Sequence, residues 1–71
     1  MTKRYFEFIE GNSRKFWEIL QVGSTVITNY GRIGAAAQVT EKDGKNDAGA
    51  LKIYERLIHE KIAKGYIEKK S

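Results

Sequence analysis

Gly23-Ser24 stands between two runs built for strands, Phe16-Trp17-Glu18-Ile19-Leu20-Gln21-Val22 and Thr25-Val26-Ile27-Thr28-Asn29-Tyr30. Both are rich in β-branched and aromatic residues. A two-residue loop with glycine first suits the type II′ turn, whose twist matches an antiparallel hairpin. That turn sets the register of Lys15–Val22 against Thr25–Arg32. Val22 faces Thr25 and, counting outward, Lys15 faces Arg32. The apolar residues of Lys15–Val22 fall on both faces, which marks a central strand with one covered and one partly covered side.

The remaining chain adds strands around this hairpin and one helix. Lys3–Glu10 alternates strand formers with Glu7, and Gly11-Asn12-Ser13 reads as the turn that follows it. Ala35–Glu41 is a weaker strand centred on Gln38, Val39 and Thr40, after Gly34 breaks the preceding one. Lys42-Asp43-Gly44-Lys45 is a polar loop. Asn46 or Asp47 can cap the helix that comes next. There Leu51, Tyr54, Ile58 and Ile62 recur at helical spacing, with Leu57 beside them, among charges paired as Arg56–Glu60 and Glu60–Lys64. Gly65 stands where a left-handed helix cap belongs, and Tyr66-Ile67-Glu68 can form a short last strand. The order β-β-β-β-α-β predicts an α+β fold: a twisted antiparallel sheet of four to five strands with one helix on one face. The opposite face is left half exposed and free to meet a partner. Residues 1–71 are expected to form a single domain.

Composition excludes more than it selects. There is no cysteine and one histidine, so disulfides, a thiolate nucleophile and a structural zinc site are not expected. His59 lies off the helical stripe, a helix-surface position. No two carboxylates have a spacing that marks an acid–base pair, so no catalytic residue and no cofactor are expected. No apolar run approaches the ~20 residues needed to span a bilayer, and no signal-peptide core follows the basic start, which makes the cytoplasm the expected location. Thirteen Lys/Arg against nine Asp/Glu give a net charge of +4, mildly suited to anionic partners.

What chemistry the chain carries is concentrated at Tyr30-Gly31-Arg32-Ile33-Gly34. The ring of Tyr30 can stack, Gly31 lets another surface come close, and the Arg32 guanidinium can fork onto phosphate or carboxylate. Strand alternation puts Tyr30 and Arg32 on one face. Backbone N–H groups around residues 31–36 can point outward at the glycine turn. Across the hairpin lies the basic turn Asn12-Ser13-Arg14-Lys15. Lys15 facing Arg32 is a like-charge pair that repels unless an anion lies between. Lys52 and Arg56 on the helix are further candidate cations. Gly31-Arg32-Ile33-Gly34 has the length of a KH-module glycine loop, but that loop needs a helix on each side, and no Gly-Lys-Ser/Thr follows to make a P-loop.

Taken together, Phe6-Glu7-Phe8, Asn12-Ser13-Arg14-Lys15-Phe16-Trp17-Glu18-Ile19, Tyr30-Gly31-Arg32-Ile33-Gly34 and Leu57-Ile58-His59-Glu60-Lys61-Ile62-Ala63-Lys64-Gly65-Tyr66 resemble a WGR domain over essentially the whole chain. That family is named for a Trp-Gly-Arg followed by Ile/Val-Gly, and its fold is an antiparallel sheet with one helix. It occurs in some poly(ADP-ribose) polymerases, where it binds DNA near strand breaks and touches neighbouring domains, and in bacterial proteins. The resemblance implies that Tyr30 takes the place of the tryptophan that packs on a terminal nucleotide. It implies phosphate or interdomain contacts for Arg32, and a DNA approach at Asn12 and Lys15. Tyrosine keeps the stacking face with less area than tryptophan.

The expected function is therefore a nucleic-acid-binding module that contacts DNA backbone or strand ends through Asn12, Arg14, Lys15, Tyr30, Gly31 and Arg32. The alternative is a protein–protein interaction module in which Tyr30 and Arg32 anchor a protein partner.

Overall fold

The computed structural model describes residues 3–69. Strands β1 (Lys3–Glu10), β2 (Ser13–Val22), β3 (Thr25–Arg32) and β4 (Gln38–Asp43) precede helix α1 (Asp47–Ala63) and strand β5 (Ile67–Glu68). They form one antiparallel sheet in the order β4-β3-β2-β1-β5. With α1 on one face, this is the α+β architecture that the strand and helix patterns predict.

The β2–β3 register follows the turn. Gly23 takes a φ of 60°, Val22 pairs with Thr25, and Lys15 pairs with Arg32. The first hairpin is tighter than expected. Its loop is Gly11-Asn12 alone, and Ser13 already pairs with Glu10 as the first residue of β2. The fourth strand begins later than the sequence suggests. Tyr30 pairs with Gln38, residues 33–37 make the connection, and pairing runs on to Asp43 opposite Thr25. Lys42 and Asp43 therefore belong to β4 rather than to a loop. Their place is set by the partner strand, which local propensity cannot see.

Alternation sorts the side chains. Phe6, Trp17, Ile19, Val26 and Thr28 turn toward the helix and are buried there against Ala50, Tyr54 and Ile58. Thr28 satisfies its hydroxyl on that of Thr40 in β4. Each large apolar side chain removed from water contributes roughly 1.5–3 kcal/mol. On the opposite face Tyr5 stacks on Phe16 with ring centroids 6.0 Å apart. Ile9, Val22, Val39 and Ile67 stay largely exposed there.

The helix meets the sheet through the expected Tyr54 and Ile58, with Leu57 beside them, but the two ends of the expected stripe turn outward. Leu51 and Ile62 are 46% and 52% exposed, while Ala50, Tyr54 and Ile58 are buried and Ile53 and Leu57 pack at the edge of the core. The cause lies at the helix start. Asn46 caps it, accepting the Gly49 N–H at 2.7 Å on its side-chain oxygen. Gly44 donates its N–H to Ser24 O at 2.7 Å, and Gln21 Nε2 donates to Asp47 O at 3.1 Å, which ties the loop to the β2–β3 turn. In this fit Gly44 lies so close that a Cβ on it would come within 2.5 Å of Ala50 Cα, and a Cβ on Gly49 would come within 2.1 Å of Gly44 O. Only the small Ala50 fits against the loop, so position 50 and not 51 opens the buried stripe.

At the other end Gly65 (φ 102°) closes the helix in a Schellman motif. Its N–H donates to Ile62 O and the Tyr66 N–H donates to Lys61 O, both at 3.0 Å. The turn sends the chain back along β1, where Phe6 pairs with Glu68 and Glu7 with Ile67. No helix among the described residues is long and apolar enough to cross a membrane.

Glycine to alanine inside a helix ordinarily stabilises by up to ~1 kcal/mol. Gly49→Ala reverses that sign, because its methyl collides with the Gly44 carbonyl. Urea unfolding of Gly49→Ala is expected to show a loss of about 2 kcal/mol; a gain would mean that the loop yields freely.

Candidate nucleic-acid interface

Beyond the C-terminal turn of α1 the helix-side face of the sheet is uncovered. A pocket of about 310 Å³ opens there, lined by Ser13 to Phe16 of β2, Tyr30 to Arg32 of β3, Gln38 of β4, and Lys61 and Tyr66. Its cations come from three separate stretches of chain. Among the described residues that line it there is no carboxylate.

Lys15 and Arg32 are directly opposed in the β2–β3 ladder, as the hairpin count predicts. Both are exposed. Lys15 Nζ lies 5.5 Å from the centroid of the Phe8 ring. Tyr30 is half-buried, paired with Trp17 and packed at the edge of the core. Trp17 itself is 3% exposed, so its indole is core and Tyr30 supplies the reachable ring. Gly31 takes a φ of 156°, a backbone conformation side-chain-bearing residues rarely adopt, and a Cβ there would lie in van der Waals contact with the Ala36 carbonyl at 3.4 Å. The backbone continues the ladder one step further, with Ile33 N–H donating to Arg14 O at 2.9 Å.

Two residues that the sequence reading did not single out complete this surface. Lys61 follows Ala50, Tyr54 and Ile58 on the buried stripe, and its Nζ lies 5.7 Å from the Trp17 ring and 5.1 Å from the Tyr66 ring. Burial, and then the neighbouring charges of Lys64 and Lys15, hold its pKa below the ordinary lysine value. Tyr66 packs on Phe8 with ring centroids 5.4 Å apart. The available signals were Gly65, which turns Tyr66 back over β1, and the phase of the helix, which is invisible without Gly44.

The expected residues separate accordingly. Lys15, Tyr30, Gly31 and Arg32 converge on the pocket. Arg14 also lines it, although alternation sets its side chain on the face opposite Lys15. Asn12 lies in the exposed β1–β2 loop, beside the pocket but outside its lining. Lys52 and Arg56 are exposed on the helix and do not line the pocket; Arg56 pairs with Glu60, Nε to Oε2 3.9 Å.

These features define a small α+β module with a cationic, aromatic-lined cleft at one end of its sheet. The chain belongs to the WGR domain family, whose model matches residues 2–71. That family is a binding module rather than a catalytic one. The chain is 35% identical over 66 residues to the uncharacterized protein YfeS of Escherichia coli K12, matching 93% of this chain and 27% of that protein. It is 34% identical over 65 residues to protein YehF of the same organism, matching 92% of this chain and 24% of that one. A crystal structure of a Bacteroides fragilis protein superposes with a TM-score of 0.93 at 40% identity, over 97% of this chain and 20% of that one. The chain thus spans about a quarter of the two curated relatives and a fifth of the solved chain.

The opposed cations carry a stability consequence that needs no ligand. Lys15→Gln relieves the repulsion toward Arg32, so its thermal midpoint is expected to rise by about 2 °C in low salt. The difference should vanish near about 0.5 M salt, where exposed charges are screened. An unchanged low-salt midpoint would mean that the two side chains splay apart at no cost.

Proposed function

We propose that this chain is a nucleic-acid-binding module that contacts DNA through its backbone or strand ends. The observation that carries this reading is the facing of Lys15 and Arg32 across the ladder, with Lys61 beside them and no acid among the described lining residues. Such a cluster opposes folding unless an anion settles in it, and a phosphate accepts from a guanidinium and an ammonium at once. Tyr30 and Tyr66 offer ring faces to a nucleotide sugar or base, and stacking of this kind tolerates any sequence. Arg14 and Asn12 extend the cationic and polar rim at the strand entrance. Membership in a family that binds DNA in the poly(ADP-ribose) polymerases supports the same reading.

Backbone contacts predict strong salt dependence and little sequence preference. Affinity of this one module is expected on the order of 10⁻⁴–10⁻⁶ M. Fluorescence anisotropy with nicked, blunt-ended and closed duplexes at two salt concentrations measures it. Arg32→Ala should weaken binding and lower the slope of log Kd against log salt by about 1, whereas Lys52→Ala, outside the pocket, should change little. No binding at low salt, or identical binding of closed and broken duplex, would count against recognition of ends.

Lys61 adds a pH signature. A bound phosphate favours its charged form. Below the Lys61 pKa the site is fully charged, and above it binding must first take up a proton. Affinity should therefore decline with rising pH before an ordinary lysine, with its pKa of 10.5, would begin to titrate. Lys61→Arg should flatten that decline, since arginine stays protonated throughout. A wild-type profile as flat as that of the variant would remove Lys61 from the contact.

A protein-interaction role is the second reading, and the uncovered sheet face favours it. Ile9, Val22, Val39 and Ile67 are exposed there around the stacked Tyr5–Phe16 pair. A protein partner that co-purifies after nuclease treatment would support it.

A further inference from the structure

The pocket depends on a segment with little backbone to hold it. Tyr66 lies between the helix cap and β5, and β5 pairs with β1 through only two residue pairs. Chain ends fray unless they are tied down. The strongest side-chain tie is an arginine–carboxylate fork. Arg4 of β1 donates from Nε to Glu68 Oε2 at 2.9 Å and from Nη2 to Glu68 Oε1 at 2.6 Å. The guanidinium lies 5.6 Å from the Phe6 ring centroid, which fixes its plane over the core. The hydrogen bond to Glu68 raises the pKa of Arg4 above its already high value. One more backbone bond follows, from Lys69 N–H to Tyr5 O at 2.9 Å.

We propose that Arg4 and Glu68 are a positioning pair for the cationic pocket: by clamping the C-terminal segment to β1 they hold Tyr66 against Phe8 and against Lys61. Neither residue lines the pocket. Glu68 stands two residues from Tyr66, and its strand partner Phe6 stands two residues from Phe8 on the same face. The Tyr66 N–H is held on the helix side by Lys61 O at 3.0 Å, and the fork anchors the chain on the β1 side, so it limits how far Tyr66 can turn away from Phe8. Tyr66 in turn is one of the two rings on which the Lys61 ammonium rests. Releasing the fork lets Tyr66 move, and Lys61 then loses one wall of its seat and part of its alignment with Lys15 and Arg32. The consequence for binding rests on the proposed nucleic-acid role of the pocket; the positioning itself does not.

The test reads the two separately. In the NMR spectrum of the free protein the Lys61 ε-methylene protons should be shifted upfield by the Trp17 and Tyr66 rings. In Glu68→Gln, and in Arg4→Lys, which keeps the charge but cannot fork, they should move toward the position of a free lysine. In Arg4→Glu/Glu68→Arg most of the shift should return. Duplex Kd should rise about three- to tenfold in Glu68→Gln, recover in the exchanged pair, and show no further rise when Glu68→Gln is added to Tyr66→Ala. Glu68→Gln or Arg4→Lys folded with an unchanged Lys61 shift overturns the proposal, as does full additivity of Glu68→Gln with Tyr66→Ala. A shift that moves as expected in a protein that binds no duplex supports the positioning pair and removes the nucleic-acid reading alone.

Discussion

The phase of the helix is decided by a contact that excludes side chains. Gly44 and Gly49 leave no room for a Cβ between the loop and the first turn of α1, and Ala50 is the residue that fits below. From that contact the 3.6-residue period does the rest. Ala50, Tyr54 and Ile58 face the sheet, and the next residue on the same side is Lys61. A lysine on a buried stripe looks misplaced until the end of the helix is considered. There the stripe runs out over the uncovered sheet, and the long aliphatic stem can lie on Trp17 and Tyr66 while the ammonium reaches the cleft. A close-packed glycine at one end of the molecule thus decides which cation stands in the pocket at the other.

The two faces of the sheet divide the chemistry. On the helix side the core of Phe6, Trp17, Ile19 and Val26 grades into the cluster of Lys15, Arg32 and Lys61. On the open side two acids find partners within the chain: Glu7 accepts from the Tyr5 hydroxyl at 2.9 Å and Glu18 from Asn29 Nδ2 at 3.1 Å. Among the described residues that line the pocket there is no acid, and the Lys15 and Lys61 ammonium groups lie over the rings of Phe8, Trp17 and Tyr66 instead. The relatives carry this unit as a fifth to just over a quarter of a longer chain, at 34–40% identity. A module that keeps its cleft and its exposed sheet face apart can meet one partner with each.

The legible and illegible parts divide by the range of the interactions. The β2–β3 hairpin was readable because Gly23-Ser24 acts over two residues, and it carried the Lys15–Arg32 facing with it. The Gly65 cap and the strand after it were readable for the same reason. The start of β4 was misplaced because pairing with β3 outweighs the weak local preference of Ala35-Ala36-Ala37. Hydrophobicity extends the helical stripe to Leu51 and Ile62, while the packing at Gly44 favours the smaller Ala50. Lys61 is placed by that packing, whereas Lys52 and Arg56, candidates by charge alone, stand outside the pocket.

By itself the sequence determined the class of fold, the order of its elements, the hairpin register and the residues Lys15, Tyr30, Gly31 and Arg32 as one constellation. Those follow from turn geometry and periodicity, which act between near neighbours in the chain. The tertiary structure alone decided that Lys61 and Tyr66 join them, that Asn12 stays outside the lining, and that Arg4 reaches Glu68 across 64 positions of sequence. Each of these depends on how the helix and the last strand dock on the sheet, and docking is settled by close packing and charge between residues that no local pattern connects.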